Sequence, residues 1–305
     1  MTASPLVAAA EHAGFPGWHF HPDVWVLVAL VGGAYALALR RERARRGAAG
    51  ATDTAAGPEP VVRRGQLVAF GAGLATIWVA SDWPVHDLAE NYLYSVHMVQ
   101  HLLLTLVATP LLLLGTPAWL ARRLLSPQWL LRVVKGLSRP VPNLVQANLI
   151  LVLSHWPIVV ETTLRHHPVH FGAHAVILAS ALVLWMPVVS PVPDKIPRLA
   201  PPAQMLYLFL QTIIPTVPAS FLTFGKTALY RIYETFPRLW GISAVDDQQV
   251  AGLIMKIGAG LFLWAVIITI FFRWYAREEA KAKDVLLWDD VERELRRLER
   301  PRRTR

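Results

Sequence analysis

The stretch "SVHMVQHLLLTLVATPLLLLGTP", residues 95–117, decides how this chain folds. It is apolar over a length that can cross a bilayer, which takes roughly 17–25 helical residues. In lipid the backbone must bond within its own segment, so such a run is a helix. The run also opens on two histidines four apart, His97 and His101. Residues i and i+4 share one helix face, with Cβ atoms about 5–6 Å apart. Two imidazoles therefore stand side by side near one end of an apolar rod. Polar groups in such a place face the bundle interior and mark function.

Outward from this run, seven apolar segments can be read, at 23–39, 66–82, 93–115, 142–164, 169–189, 203–224 and 250–274. Composition agrees, with 54% hydrophobic and 17% charged residues, 12 Trp and 23 Pro, and a mean hydropathy of +0.38. The expected fold is an all-α integral membrane protein, a single bundle of seven transmembrane helices. Residues 1–275 form that domain, and 276–305 form a charged amphipathic tail on the cytoplasmic side. In the tail Leu287, Trp288, Val291, Leu295 and Leu298 make one apolar stripe, suited to the inner leaflet, the bundle or a docking partner. The small-residue stretch 47–60, "GAAGATDTAAGPEP", reads as a flexible cytoplasmic loop.

The net charge of +9 is explained by topology. Gaps one, three and five and the chain from Arg273 onward together hold 25 of the 30 Lys and Arg; the opposite gaps hold four, Arg165, Lys226, Arg231 and Arg238, and Lys256 lies within the last span. Positive loops stay cytoplasmic, so the N-terminus is expected outside and the C-terminus inside. The same placement removes nucleic acid as a partner. Residues 1–22 carry no Lys or Arg ahead of the first apolar run, which argues against a secretory signal. The absence of Cys excludes thiolate metal sites and disulfides.

All eleven histidines fall on the outer side or in the outer part of the membrane. His12, His19, His21, His86, His166 and His167 lie in external segments. The other five are intramembrane: His97 and His101, the matching pair His170 and His174 in "HFGAH", and His155 ahead of Trp156 and the helix-kinking Pro157. Paired i, i+4 imidazoles chelate one ion, the geometry used by zinc helices. Imidazole without carboxylate suits copper, zinc or haem iron and argues against calcium or magnesium. Thioether favours copper(I), and Met255 lies near this depth, with Met98 beside the first pair. Asp246 or Asp247 reads as the cap of the last span, Gln248 and Gln249 as a polar external mouth, and Gly252 as a point of close helix approach.

The tracts "HMVQHLLLTLVATPLLLLGTP", "HFGAHAVILASALVLWMPVV", "QMLYLFLQTIIPTVPASFLTF" and "DDQQVAGLIM" resemble the seven-span bacterial cytochrome c oxidase assembly factors of CtaG type, over residues 20–275. The resemblance implies a non-enzymatic role in maturing a haem–copper oxidase in the bacterial cell membrane, with oxidase subunits and lipid as partners. It places the paired histidines on His97, His101, His170 and His174, and the polar entry on Asp247, Gln248 and Gln249, followed by Met255. Two departures stand out: "SHWP" in the fourth span and Lys256 directly after Met255. The expected metal site is therefore His97, His101, His155, His170, His174 and Met255, holding copper transiently. The alternative is a bis-His haem electron carrier, with His101 facing His155 or His174. A metal hydrolase would need a general base, and only Glu161 is expected near the cluster.

Overall fold

The computed structural model describes residues 17–48 and 60–298. His12, most of the 47–60 loop and the last seven residues lie outside the described residues. Among those described, the chain is helical with no strand.

The helices are α1 Pro22–Ala48, α2 Arg64–Ser81, α3 Val85–Asn91, α4 Tyr94–Gly115, α5 Ala118–Leu124 and α6 Gln128–Leu137. There follow α7 Pro140–Ser154, α8 Pro157–Arg165, α9 His167–Val189, α10 Pro201–Ile213 and α11 Thr216–Phe224. The last, α12, begins at Ala244 and continues through a π-helical stretch, Ile254–Gly258, to Leu298. Five units are long and apolar enough to cross a membrane, and seven if each of two bent pairs is one span. The amphipathic tail continues α12 without a break at 275, and its Trp288, Val291 and Leu295 are exposed.

Both bends follow from proline. At "DWP", residues 82–84, α2 stops and α3 restarts at 41°. At Pro157 the break between α7 and α8 is 66°. Proline has no N–H to give and forces the preceding residue to be extended, as Trp156 is at φ −68°, ψ 133°. The carbonyl of His155, left over at that break, accepts the Tyr230 hydroxyl at 2.8 Å.

Helix α4 is the central element, packing on α2, α3, α9 and α12. Close contact comes from small residues. A Cβ on Gly115 would meet the Phe70 backbone N at 2.4 Å, and one on Gly252 would meet the Thr223 N at 2.7 Å. Gly252 is thus the close approach expected from sequence, here between α12 and α11. Trp185 of α9, 1% exposed, donates to the Thr105 carbonyl of α4 at 2.9 Å.

The two ends of the bundle differ. One gathers the starts of α4, α9 and α12, the end of α7, and α3. The other gathers the basic connections, where Arg46, Arg63, Arg122 and Arg198 line one cavity of about 570 Å³. There Arg122 and Asp194 pair at 3.2 Å, which holds the Asp194 carboxyl below its ordinary range.

Candidate metal centre

The centre is built on α4 and α9. Their i, i+4 pairs bring imidazoles to ring-centroid separations of 4.4 Å for His97–His101 and 4.2 Å for His170–His174. The pairs face each other, His101 to His174 at 5.1 Å and His97 to His174 at 6.1 Å. His155, from the end of α7, stands 6.3 Å from His101. All five intramembrane histidines expected from sequence come together.

Within this group His97, His101 and His174 converge most closely, each offering a ring nitrogen within 4.8 Å of the others. Bonds of 2.0–2.1 Å to one ion put tetrahedral or trigonal donors about 3.4–3.6 Å apart, a gap that small ring rotations close. The buried Nδ1 of His97 and Nε2 of His101, His155 and His174 have no hydrogen-bond partner. Such atoms are costly to bury unmatched, which is a reason to expect a ligand. His155 shows its tautomer directly. Its Nδ1 is 2.8 Å from the Leu151 carbonyl, which can only accept, so Nδ1 carries the proton and Nε2 keeps its lone pair.

Below the imidazoles lies a cavity of about 130 Å³, lined by His101, His155, Met98 and Met255 and, deeper, by Asn148 and Gln211. Met255 is buried on the π stretch of α12, and a second π stretch, Leu103–Ala108, follows His101 on α4. A π turn re-aims side chains within a helix and recurs at functional sites. Lys256 is turned away, its Nζ 5.8 Å above the Phe224 ring on α11.

The start of α4 is held from a distance. Asp247, 1% exposed, accepts the backbone N–H of Tyr94 at 2.6 Å and of Ser95 at 3.1 Å. It therefore caps α4, not its own helix. Ser243 caps α12, its Oγ accepting the Asp246 N–H at 3.1 Å while its hydroxyl donates to the Asp246 carboxylate at 2.6 Å, so neither aspartate caps this helix itself. Gln248 and Gln249 bond the loop after α11, at Leu229 N, Thr227 O and Gly225 O, so they tie the end together rather than lining an open mouth. Tyr94 packs on Tyr230 and Tyr233 at 4.8 and 5.1 Å and stacks on His97 at 6.0 Å.

The expectation that Glu161 is the nearest carboxylate is corrected. Glu90 on α3 reaches the pairs, its Oε1 2.6 Å from His170 Nε2 and 3.4 Å from His86 Nε2. The signal lay in "HDLAE", residues 86–90, where His86 and Glu90 are i, i+4 on one face. It is missed when the segment after Ser81 is read as a loop. His166 and His167 are exposed at the start of α9.

Several helices of membrane-spanning length around a buried cluster of imidazoles define a polytopic helical membrane protein. The chain belongs to the cytochrome c oxidase caa3 assembly factor family, CtaG type, which it matches over residues 33–277. It is also similar to "Uncharacterized protein ML1998" of Mycobacterium leprae, 26% identical over 77% of this chain and 40% of that protein. "Uncharacterized protein Mb0105" of Mycobacterium bovis is 27% identical over 71% of this chain and 35% of its own length. The chain thus spans well under half of these relatives. No solved structure matches it.

Proposed function

We propose that the protein binds copper at the His97–His101–His174 centre and hands it to a subunit of a haem–copper oxidase during assembly. It acts without catalysing a reaction, from the bacterial cell membrane, as a seven-span bundle with its N-terminus outside and its C-terminus inside. Each bent helix pair counts as one span in this topology, which puts the basic end in the cytoplasm and the histidines on the outer side. The carrying observation is the convergence of three imidazoles, each of which has a buried ring nitrogen without a partner. His155, His170 and Met255 complete the surroundings. The ion is cargo, held by neutral imidazole and thioether and released to a better ligand set.

The haem alternative is less favoured by the geometry. Imidazoles from different helices pack ring against ring at 5.1–6.3 Å, which leaves no slot for a flat macrocycle. The carboxylates of Asp87 and Glu90 near the centre would repel haem propionates.

Copper content and melting temperature of purified His101→Ala and His174→Ala test the assignment. Each variant is expected to lose most bound copper while the bundle survives, since an intramembrane side-chain hydrogen bond is worth only about 0.6–2 kcal/mol. Full copper with a lowered melting temperature would make these histidines helix glue. The topology is tested by cysteine labelling from outside, which should reach a Cys at Ser243 and miss one at Ala48.

A further inference from the structure

Outside the proposed copper centre lies a second group of ligating side chains. Asp87 and Glu90 are i, i+3 on α3, with side chains only 10% and 18% exposed. Asp87 contacts His21 Nε2 at 3.2 Å and His19 Nδ1 at 3.8 Å; Glu90 contacts His86 and His170. The His21 and His86 rings meet edge-on at 4.8 Å, which joins the two halves into one group. Among the described residues, the ionic contacts of both carboxylates are with imidazoles, none with Lys or Arg. Two largely buried negative charges without a permanent countercharge are costly, and a divalent cation supplies what is missing.

A second observation points the same way. Gln100 is fully buried and its Oε1 has no partner. Its Nε2 lies 3.2 Å from His86 Nδ1. An amide N–H only donates, so Nδ1 accepts and His86 Nε2 holds the proton facing Glu90. Turning the amide over gives Oε1 a partner in Nδ1–H and leaves the Nε2 lone pair free for a cation. The amide can therefore follow either tautomer of His86, including the one whose Nε2 lone pair is free.

We propose that His21, His86, Asp87 and Glu90 form an outer site for a divalent cation, Cu²⁺ by its mixed nitrogen and oxygen donors, from which the ion passes inward by ligand exchange. The proposal rests on the copper reading of the inner centre. The route is visible in side-chain exposures that fall from 68% at His19 through 20% at His21 and 14% at His86 to 7% at His170. His170 stands 6.1 Å from His86 on one side and 4.2 Å from His174 on the other. No electron moves in this step.

Cu²⁺ titration of the full chain in detergent tests it, with Zn²⁺ as a redox-inert check. Wild type should bind two ions per chain. The double variant Asp87→Asn/Glu90→Gln should bind one, and its inner site should fill about tenfold more slowly. His21→Ala, on coil outside every helix and so a mild change to the fold, should weaken the outer ion about tenfold, the usual scale for one supporting ligand. The double variant His101→Ala/His174→Ala should keep one ion. If it binds none while wild type binds one, the outer site does not exist. Two ions and an unchanged filling rate in both outer variants would overturn it equally. If instead the inner double variant matches a one-ion wild type and the outer variant binds none, the outer site stands and the inner copper centre fails.

Discussion

The two ends of this bundle handle polar groups in opposite ways. At the basic end Arg122 pairs with Asp194, and Arg198 donates twice to the Ser190 carbonyl at 3.0 and 2.6 Å. Trp119 Nε1 donates to the Val61 carbonyl at 2.9 Å. These polar side chains are matched by permanent partners. At the histidine end four ring nitrogens, buried more deeply than any of these arginines, have none. Folding satisfies the first set by itself and leaves the second without partners from the chain. Unmatched buried polarity is expensive, and its concentration in one place is what supports the proposed metal site.

That contrast is broken most severely by Asp247→Ala. The carboxylate bonds two backbone N–H groups at the start of α4, and removal leaves both unmatched, that of Tyr94 in a buried position. Bonds to a charged group are worth about 1.5–3 kcal/mol, so a loss near 3 kcal/mol is expected, read as a clear drop in melting temperature. Ser243→Ala, which removes the exposed cap of α12, should cost about 1 kcal/mol. Equal effects in the two variants would show that α4 is not held from α12.

His155→Ala sharpens the contrast inside the histidine end. Its ring lies outside the closest trio, 6.3 Å from His101. Copper affinity should fall about tenfold, or about 1.4 kcal/mol, against near-complete loss for His101→Ala. A competition titration with a copper chelator ranks the two. If His155→Ala is the more damaging, the ion sits lower, in the cavity beside Met98 and Met255.

Much of this was legible in the sequence because the underlying terms act locally. Hydropathy adds residue by residue, and i, i+4 spacing places His97 beside His101 whatever surrounds them. Pro157 announced the bend in the fourth segment. What escaped depends on contacts distant along the chain. Asp247 and Tyr94 are 153 positions apart, so the aspartate looks like a cap for its own helix. Glu90 was hidden because Pro84 restarts a helix at an angle that turns its face toward α9, and hydropathy does not encode that turn. The π stretches at Leu103–Ala108 and Ile254–Gly258 likewise have no local signal, their residues being ordinary helix formers in lipid.

The smallest effect is expected at the basic end, from Arg122→Ala. Arg122 and Asp194 are close to half exposed, at 48% and 47%, and their 3.2 Å contact lies in solvent. Water and salt screen such a pair, and ordering two side chains offsets much of the attraction. The melting temperature should not shift resolvably, and bound copper should be unchanged, because the proposed donors sit at the opposite end of the bundle. The Asp194 carboxyl is held low by this guanidinium, so in the variant its titration should move up toward the ordinary carboxylate value. The sign follows from linkage: a depressed folded pKa contributes stability above the unfolded value and loses it as pH falls through the folded one. At neutral pH that contribution is present in full, so a melt there is the strictest comparison. Copper lost from Arg122→Ala would mean that the two ends communicate, and matched and unmatched polarity would no longer separate structure from function.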